Sequence, residues 1–168
     1  MLWFLKLKKA FLMKLYFEKI HAYLIGLNKA YLVLLFIVIN ALNSLSFSAL
    51  AYSITGSGLR NHSIDNMNAT NQFLIAVIVA PIIESLIFQY ALIESIRQKI
   101  QPVFACFFSA FAFALVHFYS IYYFLFALIS GLIFAYLYLL EKSVIKSFLL
   151  VLTAHTLYNL LIYMGRFL

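Results

Sequence analysis

The chain has 168 residues, 66% of them hydrophobic and 10% charged, with a mean hydropathy of +1.02. Soluble domains run nearer ~45–50% apolar and ~25% charged, so this composition excludes a domain that hides its apolar surface from water, and the long apolar runs call for a bilayer. The formal charge of +7 would suit a nucleic acid. However, half of the twelve Lys and Arg (Lys6, Lys8, Lys9, Lys14, Lys19 and Lys29) precede Tyr31, a placement that fits an anionic lipid surface and argues against a nucleic-acid partner.

Residues 1–29 form a basic, apolar N-terminal segment. Lys6, Lys8, Lys9, Lys14, Glu18 and Lys19 interrupt any clean apolar stretch, which excludes a secretory signal peptide. The segment reads as a helix lying in the cytoplasmic interface, anchored by Trp3 and Tyr16. Residues 30–168 then read as one all-α, polytopic transmembrane bundle. Apolar runs of ~20 residues place about five spans, near Tyr31–Ala51, Phe73–Ile93, Val103–Ser120, Tyr122–Leu140 and Val144–Met164.

Between the first two spans, Ser53 to Gln72 is rich in Gly and Asn and reads as a loop. With five spans, the basic N-terminus, Arg97 with Lys99, and Lys142 with Lys146 fall on one side, which the positive-inside rule makes cytoplasmic. The expected topology is N-in and C-out, with Tyr119, Tyr122 and Tyr123 in the outer aromatic belt. Small residues at Ala110 and Ala114, and at Ala127, Gly131 and Ala135, permit close helix approach. Cys106 is the single cysteine, so neither an intrachain disulfide nor a thiolate cluster can form.

Within these spans Glu84 is the one deeply placed charge, where an ionisable group costs ~2.5–3.5 kcal/mol on insertion scales and marks a functional site by default. Pro81, three residues earlier, cannot donate a backbone hydrogen bond, so a kink is expected and the Val77 carbonyl should lose its partner. His117 ends the third span, and His155 with Asn159 stands at i and i+4 on one face of the fifth. A helix rise of ~1.5 Å per residue puts Glu84 and His155 at a common depth of ~15 Å, with His117 ~7 Å farther out.

These residues carry a resemblance to the CAAX-protease and bacteriocin-processing family, the intramembrane proteases that include the Ras-converting prenyl-protein protease. It spans about Val79 to Leu161. The family's Glu-Glu-x-x-x-Arg frame lies on Glu84, Ser85 and Gln89, its Phe-x-x-x-His on Phe113 and His117, and its His-x-x-x-Asn on His155 and Asn159. Ser85 and Gln89 depart from the pattern, removing one negative and one positive charge together. The resemblance implies that Glu84 and His117 activate a water, while His155 and Asn159 stabilise the oxyanion.

No cofactor is expected. A zinc ion on Glu84, His117 and His155 is the less favoured chemistry, because Asn159 is a good oxyanion donor and a poor zinc ligand. The expected function is intramembrane endopeptidase cleavage of a membrane-embedded or membrane-adjacent peptide with a hydrophobic or lipidated tail, in a bacterial inner (plasma) membrane. The alternative is a catalytically silent relative acting as an immunity or scaffold protein, which Ser85 and Gln89 favour. A small channel or proton-coupled carrier using Glu84 as a relay has thin support, since no repeated pair of broken helices is present.

Overall fold

The structure is a computed structural model that describes residues 15–165, without the side chains of residues 62 and 63. Trp3, Lys6, Lys8, Lys9 and Lys14 of the expected interfacial helix, and Arg166, lie outside the described residues. Among the described residues every regular element is helical, the form in which a segment in hydrocarbon satisfies its own backbone groups.

Helix α1 (residues 15–26) packs on the bundle through buried Leu24 and through His21 Nδ1, 3.1 Å from the Tyr136 hydroxyl. Asn28 caps α2 (Lys29–Thr55) by accepting from the Ala30 N–H, and Gly56, at φ 73°, ends it in the left-handed conformation that glycine adopts without strain. A short α3 (His62–Asp65) interrupts the connection to α4 (Ala69–Ile96). Then follow α5 (Pro102–Val116), α6 (Ile121–Leu139) and α7 (Val144–Met164).

Helices α2, α4, α6 and α7 are each long and apolar enough to cross a membrane. At 15 residues, α5 spans only ~22 Å against a hydrocarbon thickness of ~30 Å. The third span thus stops at Val116 rather than Ser120. The polar loop contracts to residues 56–68, because α2 runs on to Thr55 and Ala69–Gln72 is already helical. Large apolar side chains such as Leu34, Leu45, Phe104, Phe107, Ile145 and Leu149 face outward, which is stable only against lipid.

Inside, large side chains such as Leu32, Ile93, Phe134 and Tyr138 are fully buried, and small residues and hydrogen bonds join the helices at close approaches. Gly131 on α6 lies so close to α5 that an added Cβ would meet the Ala110 Cα at 2.8 Å, the approach that small residues allow in membrane helix pairs. Asn43 on α2 donates to the Phe126 carbonyl and Ser130 of α6 at 3.1 and 3.0 Å. At one end of the bundle Glu94 accepts from the Tyr138 hydroxyl and pairs with Arg97, and Lys29 pairs with Glu141.

Helix α4 departs from a regular α-helix in a way that positions the site. Two stretches, Phe73–Val79 and Ser85–Leu92, are π-helical, flanking an α-turn at Ala80–Glu84 that contains Pro81. The sequence rule expected the Val77 carbonyl, four residues before Pro81, to lose its partner. In π register the partner of residue 81 is residue 76, and the carbonyl that takes an outside donor is that of Ala76, from Asn159 Nδ2 at 2.7 Å.

Candidate active site

Glu84 comes from α4, His117 from the C-terminal cap of α5, and His155 and Asn159 from α7. All four line one cavity of about 360 Å³, and all four expected residues therefore meet. His117 Nε2 lies 3.5 Å from Glu84 Oε1, and His155 Nε2 lies 3.5 Å from Glu84 Oε2. Each carboxylate oxygen thus faces one imidazole. The side chains are largely withdrawn, at 19% exposure for Glu84, 15% for His117 and 4% for His155.

The ~7 Å depth mismatch expected for His117 is absent. Helical side chains point back toward the N-terminus, and His117 does so strongly enough for its Nδ1 to reach the Phe113 carbonyl at 2.8 Å. That contact requires an N–H at Nδ1, since a carbonyl only accepts. It gives the Phe-x-x-x-His spacing a physical meaning: the carbonyl at i fixes the tautomer of the ring at i+4. In the neutral ring, Nε2 is then a lone pair facing Glu84. The Phe113 ring, at 4.3 Å between centroids, and Tyr123, stacked at 6.2 Å, hold the imidazole in plane.

His155 is held differently. Its Nδ1 lies 3.4 Å from the hydroxyl of Ser85, which is fully buried, and its ring packs on Phe134 at 4.6 Å. Ser85, noticed in the sequence only as a lost charge, is thus a contact of the site. A hydroxyl rotates to suit its partner, so Ser85 serves either tautomer, and where it donates to Nδ1 the N–H stands on Nε2. Tyr119 and Tyr123, two of the tyrosines expected in the outer aromatic belt, also line the cavity, with Ser44, Ser130 and Tyr158. Nothing in the sequence separated these tyrosines from interface anchors. Leu59, Asn61 and Ile64 of the α2–α4 connection line the cavity as well.

Glu84, His117 and His155 are the residues able to offer metal ligands, although among the described residues no three such groups stand arranged as a ligand set. The arrangement brings a carboxylate, two imidazoles and a carboxamide into one cavity that hydroxyl, phenol and apolar side chains complete, groups with which a carbonyl compound can be hydrolysed.

Its four membrane-length helices and a family match define an integral, multi-pass membrane protein of the CAAX-type intramembrane protease class. A family model described as type II CAAX prenyl endopeptidase Rce1-like matches residues 66–161. The chain belongs to that family. The match runs from just before α4 to Leu161 in the last turn of α7, takes in Glu84, His117, His155 and Asn159, and starts before the Val79 boundary expected from the motifs. No curated protein and no solved structure matches the chain.

Proposed function

We propose that the chain is an intramembrane endopeptidase whose base is Glu84, acting on peptides with a hydrophobic or lipidated tail. The observation that carries this reading is the Glu84 carboxylate with one imidazole 3.5 Å from each oxygen, inside a cavity that Asn159 also lines. At 3.5 Å the His117 lone pair and Glu84 Oε1 are both acceptors and too far apart for a direct bond. A water seated to one side of the pair donates one O–H to each, and Glu84 takes its proton as the water oxygen attacks the scissile carbonyl. The C–O bond forms as the carbonyl becomes an oxyanion, which the Nε2–H of His155 and the amide of Asn159 stabilise. Collapse breaks the C–N bond, and the proton held by Glu84 passes to the leaving amine.

Metal-free chemistry is favoured by Asn159, a poor ligand that serves well as a donor. The basic N-terminus on the cytoplasmic face of a bacterial inner membrane completes the reading. Family membership supports protease chemistry in general; the silent immunity or scaffold alternative draws on Ser85 and Gln89.

The test uses purified protein in proteoliposomes with a farnesylated CAAX peptide, and product is read by mass spectrometry. Wild type should cleave, and Glu84→Gln, nearly isosteric but unable to accept the proton, should not, while retaining its helical circular dichroism. Cleavage by Glu84→Gln at the wild-type rate overturns the mechanism. An inert wild type turns the reading to the silent alternative.

A further inference from the structure

Pro81 stands in α4 three residues before Glu84, between the two π-helical stretches. In the first π-helical stretch of α4 the Ala80 N–H donates to the Ile75 carbonyl, five residues back, so it does not serve Ala76 as it would in an α-helix. The next donor in π register would be residue 81, and Pro81 has no N–H. Both regular donors to the Ala76 carbonyl are therefore missing, within a helix where an unpaired carbonyl is costly. Asn159 Nδ2 fills the position at 2.7 Å. Because the partner is a carbonyl, the contact also decides which way the carboxamide is turned: nitrogen toward Ala76, with its second hydrogen left over. Asn159, Ala76 and Ala80 all line the cavity, and Pro81 is fully buried behind them.

We infer that Pro81 is a positioning residue for Asn159: by withholding an N–H it leaves the Ala76 carbonyl as the anchor that orients the Asn159 carboxamide toward the substrate. Its catalytic consequence rests on the peptidase reading above; the anchoring does not. A proline merely tolerated in a membrane helix predicts no link between residues 81 and 159.

The test is Pro81→Ala, which restores an N–H that competes with Asn159 for the Ala76 carbonyl, and Pro81→Gly, which supplies the same N–H if the alanine variant fails to accumulate. Two readouts are taken. With asparagine labelled in ¹⁵N, the Asn159 side-chain amide resonance, assigned by its loss in Asn159→Ala, should shift in the Pro81 variant. With the farnesylated CAAX peptide, kcat should fall about tenfold, the size of one net hydrogen bond, with KM unchanged. In an Asn159→Ala background the Pro81 substitution should cost nothing further. An unmoved Asn159 resonance overturns the anchoring. A moved resonance with unchanged kcat, or additive losses in the double variant, overturns the catalytic positioning. If wild type cleaves nothing, the peptidase reading fails on its own terms, and the resonance alone decides whether Pro81 sets the conformation of Asn159.

Discussion

Gly131→Ala tests whether the separation of α5 and α6 sets the active site. The added Cβ would stand 2.8 Å from the Ala110 Cα, 3.1 Å from its Cβ and 3.3 Å from its carbonyl oxygen. Carbon atoms prefer ~3.5–4.0 Å, and two of these three atoms are backbone, which cannot turn aside as a side chain would. The helices must therefore part by roughly 1 Å. Seven residues beyond Ala110 on the same helix stands His117, whose Nε2 is 3.5 Å from Glu84. An ångström of misplacement between reacting groups can cost about 10²-fold in rate, and overpacking of this kind costs ~1–3 kcal/mol in stability. Cleavage of the farnesylated peptide by Gly131→Ala should thus fall about 10²-fold, while Gly26→Ala, where nothing lies within 4 Å of the new Cβ, should leave rate and accumulation unchanged. A Gly131→Ala protein that accumulates and cleaves as wild type refutes the idea that this helix contact fixes the site.

Asn159→Ala should slow turnover by about 10²–10³-fold, as loss of an oxyanion donor does, in the same peptide assay; an unchanged rate would leave Asn159 as the partner of the Ala76 carbonyl alone. For topology, His62→Cys in a Cys106→Ala background should react with a thiol probe confined to the outside, and Lys99→Cys should not; the reverse pattern overturns the N-in assignment. Ser85→Glu should lower both accumulation and cleavage, and Gln89→Arg added to it should recover much of the loss, measured across both single variants and the double.

The bundle and its four chemical residues were legible because hydrocarbon makes rare residues conspicuous: a single deep glutamate, and histidines on separate spans, stand out against an apolar background. Depth was less legible. Counting residues along straight helices put His117 too far out, since it ignored both the early end of α5 at Val116 and the backward lean of the ring onto the Phe113 carbonyl. The first π-helical stretch left no trace, because Phe73–Val79 is apolar throughout and a uniformly apolar run has no period to read. That hidden register is why the rule for proline named the carbonyl of Val77 and the structure gives Asn159 to Ala76. Tyr123 was legible only as an amphipathic residue near a span end, because its stacking on His117 depends on how α5 and α6 come together.

The exchange at positions 85 and 89 has its physical reason in how these side chains are enclosed. Both are fully buried on one face of α4, and neither amide atom of Gln89 meets a protein partner. An arginine at 89 with serine at 85 would bury an unpaired guanidinium, and a glutamate at 85 with glutamine at 89 would set a second carboxylate beside Glu84 and within reach of His155. Like charges so close push one of the carboxyls toward its protonated form, and an uncompensated buried charge is strongly destabilising. Either family charge alone is therefore worse than neither, whereas together, about one turn apart, they offset each other. A neutral Ser85 still meets His155 Nδ1 through its hydroxyl, so the contact that orients the imidazole survives the loss of both charges. On this reasoning recovery in the double variant should appear in accumulation as well as in cleavage. Purely additive effects would show that the two positions do not compensate, and cleavage gained only in the double variant would mark the natural chain as a silenced protease.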